Sequence, residues 1–375
     1  MSHLRVYLAA MLGLICAAFL LACGDADQES EAATSDQPMA VVASFSIVGD
    51  WVAEIGGDRV DVTTVVPRGS DPHVFEPTAR QVARMTEATA VFLIGAGMEP
   101  GIEAALNTDD QRVTVLSRMV QLLPGHGHGH GHDDHGHDDH DHGHGHDDHG
   151  HHDHGHHEHG DHDHGTHGHS HDDHSHDHSD HSHDHHGHDH HDHSHEYDPH
   201  IWTSVVTARQ AVAAIRDALS EADPDGAAYY AERFAAYDAR LQELHAWMLQ
   251  ELAQIPEERR VLVTTHDTLG YFIRDYGFRS VGSILGTLST DVADPSPRHL
   301  AQLAQAITEA GVPAVFPEST TDNRLLAVVA REAGVPLAAP LNVDSLGPEG
   351  SESDTYIGQM RQITAAIVEA LGVAD

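Results

Sequence analysis

AAYYAERFAAYDARLQELHAWMLQEL (Ala227–Leu252) is the stretch that decides how this chain folds. Its apolar residues recur at helical spacing, and neither Pro nor Gly interrupts it. At 1.5 Å per residue it extends ~40 Å, enough to span a domain rather than cap one sheet. Before it, VVTARQAVAAIRDALSEAD (Val205–Asp223) reads as a second amphipathic helix, and DPDG (Asp223–Gly226) as the turn between them. Outward from this pair, strands and helices alternate in both directions. On the N-terminal side, AVVASFS, RVDVTTVVP, AVFLIGAG and VTVLS read as strands, with IVGDWVAEIGG and PTARQVARMTEA as helices, Pro77 in the first turn of the latter. On the C-terminal side, RRVLVTT, RSVGSILG, VPAVFP and VPLAAPLN read as strands between four helical segments. Such alternation implies parallel pairing. The expected fold class is α/β: two lobes with mostly parallel sheets, joined by a long rigid helix.

Domain boundaries follow from composition. MSHLRVYLAAMLGLICAAFLLAC has a basic start at Arg5 and an apolar run too short for a membrane span, so residues 1–23 read as a signal peptide. Its end, Leu20-Leu21-Ala22-Cys23, resembles a bacterial lipobox, which makes Cys23 the lipidated N-terminus of the mature chain; a plain cleaved signal or an N-terminal anchor is the alternative. Residues 24–38 read as a flexible linker. An N-terminal lobe is expected over residues 39–225, the linking helix over 226–256 and a C-terminal lobe over 257–375. Within the first lobe, residues 125–196 form a His/Asp tract without Lys or Arg. It has no hydrophobic periodicity and reads as a disordered insert.

The formal net charge is −41, and the tract holds most of the 40 histidines. No basic patch is visible, so nucleic acid is not expected as a partner, and cations are. Both cysteines, Cys16 and Cys23, lie in the leader, so any metal site in the mature chain uses His and carboxylates.

Outside the tract and the leader, five histidines remain. His73 (RGSDPHVFEPT) follows a strand, His200 (YDPHIWTS) follows one once the tract is excised, and His266 (VLVTTHDT) ends one. Ligands of open α/β sheets bind outside the carboxyl ends of the strands. Asp and Pro in the two DPH tripeptides favour turns that aim the following imidazole. Asp344, after VPLAAPLN, supplies a carboxylate from the second lobe. Three His and one Asp form a closed four-coordinate set that suits Zn²⁺ and also takes Mn²⁺. A metal cleft between the lobes is therefore expected. His245 reads as a surface or packing residue, and His299 as a cap or surface residue. Glu318 (FPEST) either orients a ligand imidazole or caps the next helix, and Glu76 supports the start of the helix after His73.

DPHVFEPT, DPHIWTS, THDTLGYF, FPESTTDNRL and VDSLGPEGSESDTY resemble, in order, the motifs of the zinc/manganese solute-binding proteins of bacterial ABC transporters. The resemblance implies two α/β lobes joined by a rigid helix, metal ligands His73, His200, His266 and Asp344, and no enzymatic activity. It implies an extracytoplasmic monomer, periplasmic or at the cell surface, anchored to the membrane by lipid and delivering its ion to an ABC permease and its ATPase. Manganese binders of this kind often carry a carboxylate where this chain has His266, so the resemblance favours zinc, although the second-lobe disulfide of some zinc members is missing. A manganese transport protein, or a surface zinc buffer or adhesin, is the alternative. The His/Asp tract is then an accessory: a scavenger, a sensor of high zinc, or a spacer. Neutral imidazole is the ligand form, so binding to the tract should fade below pH ~6.5.

Overall fold

A computed structural model of the chain describes residues 37–125 and 196–372. The signal peptide, Cys23, nearly all of the linker and residues 126–195 of the tract lie outside the described residues.

The first sheet contains β1 (Met39–Ala43), β2 (Val60–Thr64), β3 (Ala90–Leu93) and β4 (Val113–Val115), in the order β2-β1-β3-β4, all parallel. β3 is AVFL, buried at every position, as a central strand covered on both faces should be. Helices α1 (Ser46–Gly56), α2 (Ala79–Glu87) and α3 (Pro100–Ala105) fill the crossovers. Two boundaries differ from the sequence reading. β3 stops at Leu93 because Gly95, Ala96 and Gly97 all have positive φ (76°, 56° and 81°), a bend that no strand continues through. Pro77 lies before α2 rather than in its first turn: Thr78 is the N-cap, closed in a capping box with Gln81. That box, and not the exposed Glu76, starts the helix.

α4 (Val205–Ala222) and α5 (Ala227–Leu252) follow. α5 buries Tyr230, Tyr237, Leu241, Leu244, Met248 and Leu252, one stripe along its length. It packs on α1 and α4 from the first half and on α9 (Tyr356–Leu371) from the second.

The second half contains β5 (Val261–Thr264), α6 (Gly270–Tyr276), β6 (Arg279–Ser283), α7 (Pro297–Glu309) and α8 (Arg324–Ala333). β5 and β6 pair in parallel. The segments expected as two further strands, VPAVFP and VPLAAPLN, make only isolated parallel bridges, Val315↔Leu337 and Glu318↔Leu341. Both still lie in sheet order, since Phe316 donates to Val263 and Ala338 to Val315. Four prolines, Pro313, Pro317, Pro336 and Pro340, remove the donors that a continuous ladder needs.

Candidate metal centre

Four side chains from four chain segments meet at the carboxyl ends of these strands. His73 lies in the loop after β2, His200 just before α4, His266 two residues past β5, and Asp344 before α9. Their residues are 0–1 % exposed. His73 Nε2 lies 3.3 Å from His200 Nε2, His200 Nε2 lies 3.3 Å from His266 Nε2, and His266 Nε2 lies 3.4 Å from Asp344 Oδ2. A tetrahedral ion with bonds of about 2.0–2.1 Å to N and O ligands has ligand–ligand edges of about 3.3–3.4 Å. Three edges of this cluster therefore have the dimensions of a zinc tetrahedron.

The backbone builds this arrangement locally. In both DPH turns the Asp side chain accepts the N–H of the histidine two residues on: Asp71 Oδ1 from His73 at 2.9 Å, and Asp198 Oδ1 from His200 at 2.9 Å. These are Asx-turns, which fix the imidazole's starting direction. Asp198 Oδ1 also lies 2.8 Å from His200 Nδ1. With that ring nitrogen protonated toward the carboxylate, Nε2 presents its lone pair to the centre. Glu318 does the same for His266, 2.6 Å from its Nδ1, and its other oxygen accepts the N–H groups of Thr265 and His266. Glu318 thus holds an imidazole and does not cap α8. Trp202 Nε1 donates to the carbonyl of Val343 and steadies the approach to Asp344.

The electrostatics point the same way. Burial disfavours a charged His266 ring, yet the Glu318 and Asp344 carboxylates beside it outweigh burial and raise its pKa. Burial raises the Asp344 carboxyl, with His266 opposing. Asp344 Oδ2 is buried and accepts no hydrogen bond from the described residues. Such an oxygen is costly without a partner, and a cation is the partner that this donor set accommodates.

Each sequence-expected ligand is therefore in the cluster, and the other two histidines among the described residues are outside it. His245 is half-buried near the Tyr276 hydroxyl, and His299 has its ring 3.1 Å from the Ser283 carbonyl, with Ser296 capping α7. The sequence reading anticipated the turns made by Asp71 and Asp198 but not the second contact of Asp198, to His200 Nδ1. Thr290, whose hydroxyl donates to Asp71 Oδ2 at 2.6 Å, carried no signal.

An α/β protein whose parallel strands end on a buried cluster of three imidazoles and a carboxylate belongs to the class that binds single metal ions. Comparison with known proteins narrows the class. Residues 41–370 match the model of the family described as ZnuA, zinc-uptake complex component A, periplasmic, and the chain belongs to that family of solute-binding proteins of ABC metal importers. It is 27% identical over 353 residues to the manganese-binding lipoprotein MntA of Halalkalibacterium halodurans, covering 94% of this chain and 95% of that protein. It is 24% identical over 363 residues to the manganese ABC transporter substrate-binding lipoprotein PsaA of Streptococcus pneumoniae, covering 95% of each. Among solved structures, the periplasmic zinc-binding protein TroA of Treponema pallidum has the same fold, with a TM-score of 0.68 at 22% identity over 90% of this chain and all of that one.

The chain is thus the extracytoplasmic metal-binding component of an ABC importer, a transport protein rather than an enzyme.

Proposed function

We propose that His73, His200, His266 and Asp344 are the ligands of one transported ion, and that this ion is zinc. The observation that carries the reading is the set of three ligand–ligand edges of 3.3–3.4 Å among imidazole and carboxylate atoms. Three nitrogens and one oxygen suit four-coordinate zinc better than an oxygen-rich manganese site. Glu318 is occupied by three N–H groups, which leaves the set at four. The ion passes to a membrane permease driven by its ATPase, and Cys23 carries a lipid that tethers the chain, in keeping with relatives named as lipoproteins. The two-lobe division at 39–225 and 257–375 is the frame for this cleft, with residues 226–256 between. The His/Asp tract acts as an accessory that scavenges or senses zinc.

Manganese is the second reading, because MntA and PsaA are named for it. Isotope uptake in cells that depend on this chain separates the two. Zinc accumulation that falls with H266A supports zinc and the ligand set. Accumulation of manganese in place of zinc overturns the metal assignment, while zinc uptake unaffected by H266A overturns the ligand set.

A further inference from the structure

The four ligand side chains are sealed from solvent, with relative exposures of 1 % or less. An ion therefore enters or leaves only when part of the wall moves. The Asp344 side of the wall is tied down repeatedly. Leu346 N–H donates to Ser46 Oγ (2.9 Å), Gly69 N–H to Ser345 Oγ (2.7 Å), and Arg68 Nη1 to the carbonyls of Gly347 and Asp354 (2.9 Å each). The opposite side is different. There the loop carrying His73 meets the loop after β6 through the side-chain hydrogen bond from Thr290 Oγ1 to Asp71 Oδ2, 2.6 Å long.

That bond lies in a short relay between two ligands. Asp71 uses its other oxygen to accept the His73 N–H. Thr290's loop is fixed in turn to the residue after His266, since Asp267 N–H donates to the Thr287 carbonyl at 2.8 Å. Opening the Thr290–Asp71 bond would release the His73 turn from the His266 loop without touching a ligand atom. There is room on this side: a cavity of about 460 Å³ is bordered by Asp71, Thr265, Thr290, Val74 and Val292. Asp71 and Thr265 adjoin the two ligand turns, so the cavity lies directly outside them.

We propose that the Asp71–Thr290 hydrogen bond is the latch of the metal site, a positioning pair that sets how fast the ion exchanges through this cavity. The inference rests on the metal-binding reading above and adds the side from which the site opens. Thr290 contributes no ligand atom, so its loss lowers the barrier in both directions and leaves the depth of the site nearly unchanged.

The test uses the full chain with Zn²⁺, reading the slow kinetic phase of association and of release into excess chelator, together with the melting temperature. T290V removes the hydroxyl at nearly constant shape, and T290S restores it. Expected for T290V are association and release both faster, on the order of tenfold, as loss of a hydrogen bond to a charged carboxylate allows. Its dissociation constant stays within about threefold, and T290S returns to wild-type rates. Wild-type rates in T290V overturn the latch. So does a weakened site with unchanged association, which would mean that Thr290 shapes the bound site instead. A wild-type chain without a tight zinc site overturns the metal-binding reading itself, and the latch with it.

Discussion

At the scale of single residues, the site depends on carboxylates that brace its imidazoles. Glu318 and Asp198 each hold the Nδ1 side of an imidazole, at 2.6 and 2.8 Å. Removing the charge while keeping the shape should weaken the lone pair aimed at the centre and loosen the ring. E318Q is expected to bind zinc about 10–100-fold more weakly with unchanged stoichiometry, as outer partners of ligand histidines generally do. Competition against a chelator of known affinity checks this, and unaltered affinity would assign Glu318 to folding alone. The histidines were legible in the sequence because turn chemistry and strand ends expose them one at a time. Glu318 was ambiguous there because its partner, His266, is remote in sequence. Thr290 was invisible for a stronger reason: a hydroxyl donating across 219 positions leaves no periodicity or spacing to read.

At the scale of elements, the joint between β3 and α3 shows how a buried charge can organise a turn. Glu99 is fully buried and accepts hydrogen bonds from Ser44 Oγ and from the N–H groups of Ile94 and Gly95. These donors hold the bend through Gly95, Ala96 and Gly97, where φ is positive at each residue. Burial pushes the Glu99 carboxyl up to about 7, with the Ser44 hydrogen bond opposing. In the unfolded chain it ionises near 4.5, so between pH 4.5 and 7 the folded state holds the extra proton. Stability from this group is therefore highest at low pH and declines as pH rises through that window. The decline amounts to about 3 kcal/mol, each pKa unit contributing about 1.4 kcal/mol. E99Q should lose this slope whatever its absolute stability. Urea unfolding of both proteins in chelator at pH 4.5 and 8 measures the difference, and equal slopes would place the ionisation elsewhere. Such joints also mark where sequence reading fell short. Alternation located β1–β6, but proline-punctuated segments such as VPAVFP keep their place in the sheet while losing its ladder, a distinction that hydrophobic pattern does not encode.

For the whole molecule, the proposed division of chemistry between the His/Asp tract and the buried cluster can be tested through the geometry of the tract's two ends. Pro124 and Tyr197 form an antiparallel bridge, Gly125 N–H donates to the Glu196 carbonyl at 2.8 Å, and Asp198 N–H donates to the Leu123 carbonyl at 2.8 Å. The chain thus leaves and re-enters the fold at neighbouring points, and a bridged antiparallel pair is close enough for a short turn to connect. Asp198, one residue beyond this bridge, is the group that holds His200, so closing the gap tightly should preserve the ligand and not disturb it. Replacing residues 126–195 by a two-residue Asn-Gly turn should therefore leave one tight zinc site with affinity within about threefold of the full chain, while the weaker sites vanish. The shorter loop should also stabilise the fold by about 3 kcal/mol, because closure entropy grows with the logarithm of loop length. Zinc titration against a chelator and thermal melting read both quantities on the same sample. Loss of the tight site in a protein that still melts cooperatively would move the working metal chemistry into the tract and leave the four buried side chains as a structural network.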